Sequence, residues 1–369
     1  MKIESCELFE TRFPMKAPFK TSFGAETNRR ILLVKLQGDG ITAWGECTSA
    51  DAPLYSYETV DTCHYVIKSF LLPGILGKKF TDIPSFRQTY AEIKGHNMAK
   101  AALEHALWDG LAKERGVSLS NLMGGTRSKA AAGISIGIQE SIPKTVDVVG
   151  GFLAQGFQRI KLKIMPGWDV GLIRAVRRRF PDIVLTVDAN SAYTLEQADI
   201  FKELDEFGLL YVEQPLAHND LIDHAALQSM IKTDICLDES IESVEDARKA
   251  FQIGAGRVVN IKSGRVGGGY EAIQIHNLAQ EKNVPVWCGG MLETGIGRAY
   301  NLGLASLPNF RMPADISPSF RFYVDEIVDP PLIPDAKGEY AVPQGLGIGV
   351  EVKEKAIQKS LVSHERFPQ

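Results

Sequence analysis

Along the second half of the chain the hydrophobic positions change period at regular intervals. Short runs rich in β-branched residues are each followed by a stretch with apolar positions three and four apart, the alternation of strand and helix. The runs predict strands at 131–138 (AAGISIGI), 159–164 (RIKLKI), 182–190 (DIVLTVDAN) and 209–215 (LLYVEQP). Four more follow at 234–240 (DICLDES), 257–264 (RVVNIKSG), 284–290 (VPVWCGG) and 309–316 (NFRMPADI). Between them, TLEQADIFKELDEFG and SVEDARKAFQIGAG predict helices that open on Thr or Ser and stop at Gly.

Strands that alternate with helices imply a parallel sheet, and eight such beats imply closure into a TIM-like barrel of the (β/α)7β kind. An open doubly wound sheet would need a G-x-G-x-x-G turn directly after an early strand. The chain has none there; its glycine-rich SGRVGGGYEA follows the sixth strand. Residues 1–125 have another rhythm. LFETRFPMKAPFK and RRILLVKLQGDGITAWGE predict antiparallel strands, the second run turning at Gly38-Asp39-Gly40. NMAKAALEHALWDGLAKERG predicts a helix with Leu103, Leu107 and Leu111 on one face and Gly116 as its stop. An N-terminal α+β capping domain (1–125) thus precedes the barrel (126–320), joined near Gly124-Gly125, and a weakly patterned tail (321–369) folds back on the cap.

Composition narrows the function classes. With 44% hydrophobic and 23% charged residues and a formal charge of −4, the chain reads as an ordinary soluble protein without the basic footprint of a nucleic-acid or membrane-surface binder. No apolar stretch approaches the roughly 18–20 residues of a membrane span, and Met1–Thr11 lacks a signal-peptide layout. Cys6, Cys47, Cys63, Cys236 and Cys288 are odd in number and form no C-x-x-C, which points to free thiols in the cytoplasm and argues against a zinc site.

The chemistry lies at the strand ends. In RIKLKI, Lys161 and Lys163 share one face and Ile160, Leu162 and Ile164 the other. Lys163, Asp188, Glu213, Asp238 and Lys262 each fall at or just beyond the end of a predicted strand, at the spacing of the structural beat. Equivalent positions in successive units converge on the barrel mouth, where such barrels carry their active sites. Asp188 and Asp238 could instead cap the following helices; Glu213 fits that reading poorly, being followed by Gln214-Pro215. Three gathered carboxylates repel one another and call for a cation; oxygen donors suit Mg²⁺, with Mn²⁺ as a substitute. Lysines on opposite flanks, if desolvation and nearby cations lower their pKa values, could take a proton from one face of a substrate and return it to the other. The plain alternative is that they only neutralise the three acids.

KLK, VDAN, YVEQP, LDES and NIKSGRVGG, in this order and spacing, resemble the enolase superfamily in its muconate-lactonising subgroup. TSFG, WGE, PLYSYET and ALEHALWDGLAK resemble that subgroup's capping domain. CGGMLETGIGRAYNLGLASLPNF with ADISPSFRFYVDEIV is most similar to the o-succinylbenzoate synthase / N-succinylamino acid racemase family. Dipeptide epimerases usually carry a D-x-D motif near the eighth strand, whereas Asp315 is followed here by Ile316-Ser317. The resemblance implies a small carboxylate substrate, a homodimer or larger ring, Asp188, Glu213 and Asp238 as Mg²⁺ ligands, and Lys163 and Lys262 as the acid/base pair. It further implies that Lys161 neutralises the substrate carboxylate, that Asn190 binds substrate or a metal-bound water, and that Ser135 and Gly290 meet the succinyl part. The expected reaction is syn dehydration of 2-succinyl-6-hydroxy-2,4-cyclohexadiene-1-carboxylate for menaquinone synthesis, with racemisation of N-succinylamino acids beside it. Racemisation as the main role, dipeptide epimerisation, cycloisomerisation and a non-catalytic organic-acid-binding barrel stay open at this point. KTSFGAETNRR and ADAPLYSYET are expected to form flaps over the mouth, with Phe23 and Tyr55 as apolar wall.

Overall fold

The structure, a computed structural model, describes residues 1–368. Three strands, Ser5–Thr21, Gly24–Gly38 and Ile41–Cys47, form an antiparallel sheet, and the C-terminal strand Leu361–Pro368 adds to its outer edge against the first. The predicted turn after Gly38 is present: Asp39 (φ 52°) and Gly40 (φ 76°) both adopt the left-handed region that a two-residue hairpin of type I′ requires. The ladder between the first two strands is continuous from Ser5 to Pro14, breaks, and resumes at Phe19. Its near half is buried and its far half projects over the barrel.

The helix Asn97–Glu114 departs from the one-faced pattern expected of it. Apart from Lys100, every residue from Met98 to Ala112 is buried. The cap sheet covers one side, where Gly45 lets strand and helix meet so closely that a Cβ there would stand 2.1 Å from the Ala102 carbonyl oxygen. The barrel covers the other, where Glu104 accepts a 2.8 Å hydrogen bond from the Tyr270 amide. A helix enclosed on both sides carries apolar residues all round, so no single stripe marks its interface.

Seven parallel strands curl in sequence order: Gly133–Ile136, Arg159–Lys163, Leu185–Asp188, Val212–Glu213, Ile235–Leu237, Val258–Ile261 and Val286–Cys288. The eighth predicted strand is not a full strand. Residues 309–316 close the ring through isolated bridges, Phe310 to Val286 and Ala314 to Ala132, reinforced by Asp315 N to Cys288 O (2.9 Å) and Gly133 N to Ala314 O (2.8 Å). Pro313 removes a ladder donor in the middle of this run. Side chains pointing outward, such as Ile160, Leu162 and Ile164, join the main core under the helices, while Tyr211, Cys236, Val258 and Trp287 form a separate small cluster plugging the barrel interior.

The intervening helices follow their caps. Ser243 accepts from the Asp246 amide to start Val244–Ile253, which stops at Gly254 (φ 71°). TLEQADIFKELDEFG is less regular: a single 3-10 turn at Leu195–Gln197, an α-helix Ala198–Leu204, and a second 3-10 turn ending at Gly208. The tail serves both units, since Glu339–Ala341 pairs with Lys129–Ala131 beside the barrel whereas Leu361–Pro368 joins the cap. Among the described residues no helix is long and apolar enough to cross a membrane.

Gly45→Ala should force the cap sheet and its helix apart. Overpacking of this kind typically costs about 1–3 kcal/mol, so chemical denaturation should show a lower midpoint at unchanged slope.

Candidate active site

Strand register decides which side chains meet. Ser135 pairs with Lys161, Lys163 with Asp188, Asp188 with Glu213, and Glu213 with Cys236. Asp188 and Glu213 therefore stand on one rung, and Asp238 lies two residues further along its chain, on the same face. All five strand-end charges are buried at the C-terminal mouth of the barrel.

Each acid has a cationic partner. Lys163 Nζ donates to Asp188 Oδ2 at 2.7 Å and to Asn190 Oδ1 at 2.5 Å. Lys161 Nζ contacts Glu213 at 2.6 Å, Asp188 at 3.3 Å and Asp315 at 2.6 Å. Lys262 Nζ donates to Asp238 Oδ2 at 2.7 Å and to the Tyr55 hydroxyl at 3.1 Å, while Arg265 takes the other oxygen of Asp238. Lys163 and Lys262 come from the second and sixth strands of an eight-membered ring and so face each other across it.

The expectation that such lysines have lowered pKa values is not met at Lys262. Burial opposes its charge, but Asp238, Tyr55 and Glu239 outweigh burial and raise its pKa, so it is held as an ammonium. The same balance raises Lys161 through Asp315, Glu213 and Asp188. On the acid side, burial works against ionised Asp238 and Asp188, yet their cationic neighbours prevail and lower both. Glu213 goes the other way: burial first, then Asp188 and Asp238, raise it despite Lys161.

The three carboxylates do not stand as a closed ligand set. Among the described residues no three His, Cys, Asp or Glu side chains gather closely enough to hold a metal ion, because each acid is drawn toward its own ammonium or guanidinium group. In donor chemistry, however, the cluster fits a hard divalent cation. It offers only carboxylate oxygens on neighbouring strand ends, and Glu239, whose Oε1 accepts from Asn190 Nδ2 at 3.0 Å, keeps a buried Oε2 with no partner.

The remaining expected residues surround the same space. Asn190 has φ 44° and bridges Lys163 to Glu239. Ser135, Lys161, Lys163, Lys262 and Gly290 line a small cavity of about 80 Å³. Lys163, Asn190, Lys262 and Gly290 also line a larger one of about 390 Å³, walled by the hairpin tip with Phe23 and by the loop with Tyr55. The Tyr55 ring lies over Lys262 at 4.4 Å, and its hydroxyl donates to Asp238 at 2.9 Å; it is a polar tether as much as an apolar wall. That loop is anchored by Glu58, which accepts from the Met98 and Ala99 amides at 2.8 and 3.1 Å. Arg29 joins the hairpin to both neighbouring loops by donating to Thr48 O (2.8 Å) and Met291 O (3.1 Å).

Sequence reasoning missed several members. Asn260, which donates to Glu213 Oε1 at 2.7 Å, and Arg159, paired with Asp315 at 2.7 Å, each lie two residues before a predicted lysine. Strand parity alone would have turned them inward. Glu239 and Arg265 stand inside the LDES and NIKSGRVGG motifs. Asp315 stands in the ADISPSFRFYVDEIV motif, but its partners Arg159 and Lys161 lie on a distant strand and cannot be read from it.

Residues 4–124 match the mandelate racemase / muconate lactonizing enzyme N-terminal domain, and residues 145–356 the enolase C-terminal domain-like family. Over 360 residues the chain is 46% identical to o-succinylbenzoate synthase from Geobacillus kaustophilus, covering 97% of this chain and 96% of that protein. Over 354 residues it is 47% identical to N-succinylamino acid racemase from Thermus thermophilus, covering 96% and 95%. The crystal structure of an enolase superfamily member from Listeria innocua superposes with a TM-score of 0.96 at 39% identity, covering 100% of this chain and 99% of that one.

Glu46 gives the mouth a pH-dependent support. It accepts from the Thr294 amide (2.9 Å), the Thr294 hydroxyl (2.6 Å) and the Gly297 amide (2.9 Å), fixing the loop after the seventh strand, and burial pushes its pKa up to about 7. Between the unfolded value near 4.5 and this one, the folded state keeps a proton that the unfolded state has released, so stability falls as pH rises. Glu46→Gln should not share this loss. Its stability deficit relative to the parent should shrink between pH 5 and 8, by on the order of 3 kcal/mol in urea titrations.

Proposed function

The chain belongs to the mandelate racemase / muconate-lactonizing enzyme family of the enolase superfamily, in its o-succinylbenzoate synthase and N-succinylamino acid racemase group, and on that premise we propose that it removes a proton alpha to a substrate carboxylate at the barrel mouth. One observation carries the reading: Lys163 and Lys262 oppose each other across one cavity, each hydrogen-bonded to its own aspartate at 2.7 Å. Asp188, Glu213 and Asp238 would hold a divalent cation, Mg²⁺ by donor chemistry with Mn²⁺ able to replace it. When bound, that cation supplies positive charge to the substrate carboxylate and to the negative charge that deprotonation creates.

The chain's own groups do the rest. Lys161 adds charge beside the substrate carboxylate. Lys163, as a neutral amine, takes the alpha proton; a well-placed general base contributes roughly 10²–10⁴-fold. In 2-succinyl-6-hydroxy-2,4-cyclohexadiene-1-carboxylate the C–O bond to the hydroxyl then breaks, and the Lys163 ammonium returns the proton on the same face as water leaves. The ring becomes aromatic and o-succinylbenzoate results. Lys262, held as a cation by Asp238, suits an electrostatic role beside this planar species. An N-succinylamino acid has no such leaving group, and there the Lys262 ammonium delivers a proton to the opposite face. Dehydration is the proposed main reaction, with racemisation as a second activity of the same site, favoured by the opposed lysines. The flaps with Tyr55 and Phe23 exclude water during both.

Incubation in D₂O with Mg²⁺ tests this reading. The cyclohexadiene substrate should be dehydrated, N-succinylamino acids should exchange their alpha proton, and chelation should stop both. Lys163→Ala should lose at least 10²-fold in dehydration kcat, and Lys262→Arg should abolish racemisation. Racemisation that survives Lys262→Arg would refute the two-lysine scheme. No exchange and no dehydration by the parent would leave a binding barrel.

A further inference from the structure

All five thiols are buried and free. Cys47, at the end of the strand Ile41–Cys47, and Cys63, in the helix Val60–Val66, are the two whose side chains share a hydrogen bond. They meet because the segment after the strand is pinned to the segment before the helix: Ala50 bridges Thr59, and the Val60 amide donates to Ala50 O at 3.0 Å. Cys47 Sγ also contacts Ser49 Oγ at 3.3 Å and the Met98 carbonyl at 3.6 Å, and Cys63 Sγ donates to Glu58 Oε2 at 3.3 Å. Glu58 is the residue that anchors the Tyr55 loop to the helix Asn97–Glu114. One thiol therefore stands before that loop in the chain and the other after it, both beside its anchor.

Their surroundings differ. The hydrogen bond with Cys63 leads the influences that lower the Cys47 pKa and outweighs burial, whereas Cys63 is raised by the same bond and by burial. The thiolate is the nucleophile, so Cys47 is the reactive partner and Cys63 the resolving one. A small molecule has a path to them. Ala50, Ser56, Glu58 and Met98 line the cavity of about 390 Å³ at the mouth, and Glu58 touches Cys63. In a reducing compartment such a pair rests as a dithiol, and disulfides that form there are transient and redox-sensing.

We propose that Cys47 and Cys63 form a peroxide-sensitive switch, closing into a disulfide that staples the two ends of the Tyr55 loop and holds the lid shut. The Cys47 thiolate attacks one oxygen of hydrogen peroxide and the O–O bond breaks. A sulfenic acid forms, and the departing hydroxide takes up the thiol's proton and leaves as water. The Cys63 sulfur then attacks the Cys47 sulfur, its proton passing by way of Glu58 to the hydroxide expelled as a second water. Peroxide gains the two electrons that the two thiols lose, and a dithiol reductant reverses the change. Lid opening admits substrate and releases product, so the stapled lid slows turnover. That consequence rests on the function proposed above; the disulfide and the stiffened loop do not.

The full chain, reduced and then treated with hydrogen peroxide, tests the switch through peptide mass mapping, hydrogen exchange across residues 48–58 and kcat, each followed before and after dithiothreitol. A Cys47–Cys63 cross-linked peptide two hydrogens lighter should appear, with slower exchange across the loop and loss of most of kcat, and the reductant should restore all three. Cys47→Ser and Cys63→Ser, each alone, should keep the activity of the reduced parent and escape the peroxide loss. No cross-link in the folded parent, or a cross-link that leaves loop exchange or the kcat of an active parent unchanged, would overturn the switch. An activity loss that persists in either folded serine variant would overturn it as well. A reduced parent that catalyses neither reaction would sink the proposed function, while cross-link and loop exchange still decide the switch.

Discussion

Everything at the mouth of this barrel follows from the cost of burying like charges side by side. Asp188, Glu213 and Asp238 are removed from water within a few strand widths of one another, and no fold could keep three isolated carboxylates there. Lys161, Lys163, Lys262 and Arg265 make the cluster tolerable, flanking the three acidic strand ends from the strands on either side. The same pairing fixes the lysines in place. An ammonium group held at 2.7 Å from a carboxylate is already positioned, so its orientation costs nothing further when a substrate arrives.

The neutralised state also explains why the carboxylates are not arranged as a ready-made cage. Lys161, which touches Asp188, Glu213 and Asp315 at once, is the counter-ion those three acids share. The cap adds a second layer of control. Tyr55 reaches from the cap to Asp238 and Lys262, so the loop that closes the mouth is tied to the same charge network that it covers. Closure and electrostatics are one system here.

The parts of the fold set by local rules were readable in the chain. Asp39-Gly40 dictates its hairpin turn, Ser243 and Gly254 bound their helix, and two-residue parity turns Lys161 and Lys163 to one side. What resisted reading depends on distant partners. The helix Asn97–Glu114 is enclosed because the barrel packs on the face that an isolated amphipathic reading leaves to water. The eighth strand is imperfect because Pro313 withholds a donor, a defect whose effect depends on which edge it meets. Asp315 gains its partners only once the end of the ring is brought against Arg159 and Lys161 of the second strand, more than 150 residues earlier in the chain.

The break in the ladder between Pro14 and Phe19 has a mechanical consequence. On one side of it the paired strands belong to the cap's interior, where a change of volume endangers folding. On the other side the same two strands hang over the barrel mouth, held there by Ile138 N to Lys20 O (3.0 Å) and Ser22 Oγ to Ala189 O (3.2 Å). One continuous hairpin is thereby divided into a root fixed by cap packing and a tip that lies against the barrel. The tip can therefore shift against the barrel without disturbing the root, so the two halves of one hairpin carry separate mechanical duties.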